Sequence, residues 1–159
     1  MGSSDLLSYN FRTLGLGYAN IGGFLMASGI PYASAEGRSI AGAFAALMTG
    51  ASYATSAEMA KELGPFPGFR DNRDAMHKVI RNHRRAAYGV SDGGASEPDR
   101  EFGSYEGLHV APVALDIATC PLDDVVLAAQ LASDRALEVG MANGFRIAQT
   151  PVIAPTGTL

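Results

Sequence analysis

One cysteine, Cys120, is all the thiol chemistry this sequence holds. A lone cysteine makes no internal disulfide and no CxxC pair. That excludes a disulfide scaffold and implies a reducing compartment, with the cytoplasm as the expected location. Tryptophan is missing altogether, and charged residues reach only 18%, where typical domains carry roughly 25%. These deficits suit a segment that packs against other parts of a larger protein. They suit equally an alanine- and glycine-rich bacterial chain, here with 19 glycines. No apolar run reaches the roughly 20 residues of a bilayer span; Leu14–Met26 comes nearest but carries Asn20 and several glycines. The start, Met1-Gly-Ser-Ser-Asp5, has neither the basic region nor the apolar core of a signal peptide. A net charge of −4 argues against a general binder of nucleic acid or anionic membrane.

What remains is an apolar, foldable chain. Hydrophobic residues make up 47% of 159, enough for one domain with a sizeable core. Thr13–Ser28 reads as a buried helix that needs tertiary packing, because its glycines each cost roughly 1 kcal/mol of helix propensity relative to Ala; Gly29 and Pro31 end it. Ser34 reads as the N-cap of a long helix, with Glu36 in its first turn and Gly64-Pro65 as its stop. Asp71 reads as the cap of a third helix running to about Ala87, with Met76, Val79, Ile80 and Ala87 on its apolar side. Gly89–Tyr105 is rich in turn formers and reads as a loop. Thr119 as N-cap and Pro121 in the first turn open a fourth helix, whose core side is assigned to Val125, Leu127, Leu131, Leu137 and Val139 and whose end is Asn143-Gly144. Arg146–Ile153 reads as a buried strand. The expectation is therefore a mostly α chain with a C-terminal strand, forming a single partial domain: helical over 12–88, loop over 89–107, helix and strand over 108–159.

Candidate chemistry is sparse. Gly15-Leu-Gly17 through Gly22-Gly23 is no dinucleotide fingerprint, since no strand precedes it and no βαβ unit follows. His77, Lys78, Arg81, His83, Arg84 and Arg85 crowd one helix. Without a matching set of His or acidic ligands they read as a solvated face, or as one paired with acidic neighbours, rather than a nuclease centre. Cys120 at a helix start reads as a buried structural residue, because a reactive thiolate needs a nearby base. No catalytic residue and no metal ligand is assigned. The end, Ala154-Pro155-Thr156-Gly157-Thr158, follows an apolar run. It lacks the Gly-Lys of a Walker A loop, yet it suits a phosphate: Gly157 allows close backbone approach and Thr hydroxyls donate hydrogen bonds.

Several motifs in one order are more specific than this chemistry. They are Arg12-Thr-Leu-Gly-Leu-Gly-Tyr-Ala-Asn-Ile-Gly-Gly23, Ala46-Leu-Met-Thr-Gly50, Tyr53-Ala-Thr-Ser-Ala-Glu-Met-Ala-Lys-Glu-Leu-Gly-Pro-Phe-Pro67, Asn72-Arg73, Val79-Ile-Arg-Asn-His-Arg-Arg-Ala-Ala-Tyr88 and Val152-Ile-Ala-Pro-Thr-Gly-Thr158. Together they resemble the class II, adenosylcobalamin-dependent ribonucleotide reductases over nearly the whole chain, weakly only in Gly89–Tyr105. The resemblance implies a ribonucleoside-diphosphate reductase, an oxidoreductase that makes deoxyribonucleotides by a cobalamin-initiated thiyl radical; the residues themselves do not set the phosphorylation level of the substrate. It implies a partial piece of a ten-stranded α/β barrel, one that begins beyond the finger-loop cysteine and lacks the radical cysteine, the redox pair and the acid/base Glu.

By the same resemblance Ala154, Pro155, Thr156, Gly157 and Thr158 hold the substrate phosphates. Adenosylcobalamin belongs to the full-length protein, and nothing here assigns it to this segment. The implied partners are the ribonucleotide substrate, the remainder of the reductase chain and a thiol reductant system, with room for a homodimer and no membrane or nucleic acid. A reading of another class is a stand-alone helical binding or assembly module that complements a separate catalytic chain. A third is nucleic-acid binding through the His77–Arg85 helix.

Overall fold

The computed structural model describes residues 3–91 and 102–151. Five helices carry them: α1 (Ser3–Phe11), α2 (Ile21–Ala27), α3 (Ala35–Leu63), α4 (Phe69–Ala87) and α5 (Asp123–Asn143). None is long and apolar enough to cross a membrane. The spine is α3, whose 29 residues span roughly 43 Å at 1.5 Å per residue. Its start is local chemistry: the Ser34 hydroxyl accepts from the Gly37 amide at 2.9 Å, and Glu36 lies in the first turn. Its end is Gly64 at φ 77°, whose N–H closes on the Ala60 carbonyl. Both boundaries match the sequence expectation.

The most extensive packing is α3 on α5; α4 lies mainly on α5 and less on α3. Small residues make this approach close. Gly50 of α3 faces the Ser133 amide nitrogen, and a Cβ there would sit 2.9 Å from it. The residues of α5 that are buried, Val126, Ala129, Ser133, Ala136, Val139 and Gly140, recur at helical spacing. Two core clusters result. One gathers Tyr53, Phe66, Phe69, Met76, Ile80 and Phe145 at the C-terminal half of α3. The other gathers Leu25, Ile40, Ala43, Leu115, Cys120 and Val126 at its N-terminal half.

Several expectations need correction. The C-terminal strand does not form: among the described residues there is no strand and hence no part of a ten-stranded sheet, only an isolated parallel bridge between Leu16 and Pro151. A strand needs a ladder of backbone partners. Here the amides of Arg146, Ile147 and Ala148 go instead to Ser56 O, Ser56 Oγ and Phe11 O, so α3 and the end of α1 take the bonds a neighbouring strand would take. The expected helix over Thr13–Ser28 shrinks to Ile21–Ala27. Asn20 in the left-handed region at φ 64° interrupts it, and the Leu14 and Leu16 amides bond to Gln149 O and Thr150 O rather than to a preceding turn.

Helix α4 begins at Phe69 rather than at Asp71, which falls in its first turn. Helix α5 begins at Asp123, beyond Thr119 and Pro121, because the Asp116 carboxylate has already captured the Thr119 amide in a separate turn. Leu127 and Leu131, assigned to the core, are 54% and 58% exposed; α3 instead meets the alanine and serine face. The expected loop at Gly89–Tyr105 lies partly outside the described residues, as do Val152 and Ile153.

The Gly50 contact predicts an asymmetry between two glycines of one helix. Gly50→Ala should lower unfolding free energy by about 1–3 kcal/mol, because backbone must move. Gly42→Ala, whose Cβ would meet only the flexible Leu115 Cδ1 at 3.3 Å, should be near neutral or stabilising by up to about 1 kcal/mol. Chemical denaturation of the two variants checks this; equal effects would refute it.

Candidate functional site

The structure describes the chain up to Pro151, just before the Ala154–Thr158 motif, and shows how Arg146–Thr150 is held. Ser52 and Ser56 stand one turn apart on α3. The Ser56 hydroxyl accepts from the Ile147 amide at 2.9 Å and donates to the Ile147 carbonyl at 3.2 Å, while the Ser56 carbonyl accepts from Arg146 at 2.9 Å. Ser52 Oγ meets Thr150 Oγ1 at 2.7 Å. Thr150 is 1% exposed and lies beside Tyr53, whose hydroxyl pKa is raised by burial, with Thr150 opposing that rise. On the opposite side, Leu14 and Leu16 donate to the Gln149 and Thr150 carbonyls at 2.8 and 3.1 Å. Ala154, Pro155, Thr156, Gly157 and Thr158 themselves lie outside the described residues. Sequence reasoning missed these anchoring hydroxyls; the one available signal was a pair of serines spaced i,i+4 on a helix of alanines.

Three arginines of the basic helix pair with two carboxylates from elsewhere in the chain. Arg81 grips Glu106 with two bonds, Nε–Oε1 at 2.7 Å and Nη2–Oε2 at 2.6 Å, and Arg85 adds a third at 2.7 Å. Asn82 receives the Glu106 amide and donates to its carbonyl. Arg84 pairs with Asp134 at 2.5 Å and lies 4.5 Å from the Phe102 ring; Tyr88 donates to the other oxygen of Asp134. The alternative of an acid-paired face is the one observed. His77 is not on that face: it is 4% exposed, against Phe69 and Phe145. Burial lowers its pKa, with the Gly140 carbonyl opposing; its Nε2 has no hydrogen-bond partner. Cys120 is buried, as expected, among Leu25, Ile40 and Val126.

Two larger open clefts lie among the described residues. One of about 500 Å³ lies between α3, α4 and residues 113–116 and includes Arg38, His83 and Asp116. The other, about 440 Å³, is walled by Tyr18, Phe24, Phe44, Leu47 and Met48. Among the described residues no group of three His, Cys, Asp or Glu side chains could hold a metal ion. A corrinoid with its nucleotide arm is bulkier than the drug-sized ligands that pockets of this volume enclose. Neither cleft, taken alone, is large enough to enclose adenosylcobalamin.

The arginine grip on Glu106 gives a pH signature. Hydrogen bonds from Arg81, then Arg85, hold its carboxyl at about 2 instead of 4.5. A depressed carboxyl pKa contributes stability that is full above the unfolded value and fades as pH falls towards the folded one. Glu106→Gln should therefore melt below the parent chain near neutral pH, with the gap closing as pH drops from about 4.5 to about 2. A gap independent of pH across that window, in thermal melts, would refute the ion pair's role.

Comparison with known proteins places these features. The sequence profile of the family described as "Ribonucleotide reductase, barrel domain" matches residues 7–159. The chain is 64% identical over 152 residues to a vitamin B12-dependent ribonucleotide reductase of Agrobacterium fabrum, covering 96% of this chain and 11% of that protein. It is 58% identical over 153 residues to one of Bradyrhizobium diazoefficiens, with 96% and 11% covered. To one of Streptantibioticus cattleyicolor it is 40% identical over 149 residues, with 94% and 21% covered. The chain thus spans a small part of the length of the curated relatives it matches, and that part falls within their barrel domain: the chain belongs to the ribonucleotide reductase family.

Proposed function

We propose that this chain is part of the catalytic barrel domain of a class II, adenosylcobalamin-dependent ribonucleotide reductase. In that reading the whole protein is a cytoplasmic oxidoreductase that converts ribonucleotides, at the diphosphate level, to deoxyribonucleotides through a thiyl radical. Its partners are the remainder of the reductase chain and a thiol reductant. When bound elsewhere in the protein, adenosylcobalamin supplies the radical that starts the reaction.

This segment packs the barrel domain and presents Ala154, Pro155, Thr156, Gly157 and Thr158 to the substrate phosphates. The observation that carries the assignment is the two-sided anchoring of Arg146–Thr150 directly before that motif. An anion is recognised by fixed donors: backbone N–H groups of a turn with a glycine for close approach, and threonine hydroxyls that donate to phosphate oxygens. A donor set of this kind works only if the turn is held in one place, and the anchored approach through Arg146–Thr150 supports that reading.

The chain's own thiol cannot serve as a reductant pair, since Cys120 is alone and buried. Two outcomes follow. The isolated chain, given adenosylcobalamin, a ribonucleotide and a dithiol, should form no deoxyribonucleotide; measurable product would contradict the assignment. In the full-length reductase, the double substitution Thr156→Ala and Thr158→Ala should raise KM for the ribonucleotide roughly 10- to 100-fold by removing two charge-assisted hydrogen bonds. An unchanged KM would remove the phosphate role.

A further inference from the structure

Ser52, Ser56 and Thr150 touch no substrate in the proposed scheme, yet they decide where the chain stands just before the turn. We infer that these three hydroxyls are positioning residues for substrate phosphate binding, an inference that rests on the assignment of Ala154–Thr158 as the phosphate turn.

The geometry has three parts. First, Ser56 binds both sides of one peptide residue, accepting from Ile147 N and donating to Ile147 O. That pattern replaces a strand neighbour and fixes the residue against sliding along α3. Second, the proton of Ser52 goes to the Thr49 carbonyl at 3.0 Å. The 2.7 Å contact between Ser52 Oγ and Thr150 Oγ1 is then donated by Thr150, which orients that side chain as well. Third, the Thr150 carbonyl is taken from the other side by Leu16 N at 3.1 Å. Thr150 is thus held through its side chain by α3 and through its backbone by the Leu14–Leu16 segment.

Thr150 itself is 1% exposed, so removing its hydroxyl takes from Ser52 a donor that is held in place by the surrounding packing. The chain after Thr150 then loses a fixed origin. Recognition of a charged group by several donors is sensitive to displacements well under the length of a bond. The consequence appears in substrate affinity rather than in chemistry, because no reacting atom is touched.

The test uses the full-length reductase, with Thr150→Val, Ser52→Ala, Ser56→Ala and the conservative Thr150→Ser assayed beside the turn variant T156A/T158A. The expected result is a KM for the ribonucleotide raised roughly three- to tenfold with kcat unchanged, and near-parental KM in Thr150→Ser. Ser52→Ala, at a half-buried position, keeps the test open should Thr150→Val not fold. A purely structural role would lower the active fraction, and so kcat, while leaving KM alone; that outcome overturns the inference. If T156A/T158A raises KM and the hydroxyl variants do not, the inference falls and the turn assignment stands. If T156A/T158A leaves KM unchanged, both fall, whatever the hydroxyl variants do.

Discussion

At Gly50 the backbone of α3 comes so near α5 that a methyl group would stand 2.9 Å from the Ser133 nitrogen and 3.0 Å from the Ala132 Cβ. Interhelical distance is set by the side chains at the crossing, and here there is almost none on one side. The small residues that allow it, Ala129, Ser133 and Ala136 on α5 and Ala43, Ala54 and Ala57 on α3, bury little area individually. Close contact makes up for that through dispersion along the whole crossing. The aromatic residues are thereby pushed to the ends of the crossing, where Tyr53, Phe69 and Phe145 meet edge to face.

A helix held this firmly can act as a ruler for what crosses it. The face of α3 that carries Ser52 and Ser56 meets the chain leaving α5, so the same helix both packs against α5 and receives its continuation. Phe145 links the two functions. Its ring sits against Gly140, where a Cβ would lie 2.0 Å from it, and its carbonyl accepts from Phe66. The direction in which the chain leaves α5 is thus set by core packing before any hydroxyl acts.

What could be read from the sequence was what depends on near neighbours. Ser34, Gly64-Pro65 and Gly144 mark helix ends through bonds that close within a few residues, so α3 and the end of α5 were legible. The family motifs were legible as strings and identify the barrel domain. Legibility failed where the partner is distant. Apolar Val and Ile after Arg146 suggest a strand, but backbone pairing there depends on Ser56 and Phe11, far away in sequence. Likewise the amphipathic pattern of α4 announces a polar face, and nothing in the sequence names Glu106 and Asp134 as its partners. Leu127 and Leu131 look like core because they are large, whereas close crossing selects small residues.

The contacts on either side of residues 92–101 bear on how this stretch can change over time. Tyr105 donates to the Val90 carbonyl at 2.8 Å, and Arg85 donates to the Phe102 carbonyl at 2.9 Å. The two ends are therefore pinned close together by residues on α4 and its immediate continuation, whatever joins them. Closing a longer segment between fixed ends costs entropy only logarithmically, about 0.6 kcal/mol for each doubling of length. The closure term alone thus penalises added length between those pins only weakly, while a change of length in the short link from Phe145 to Thr150 would shift every anchored bond out of register.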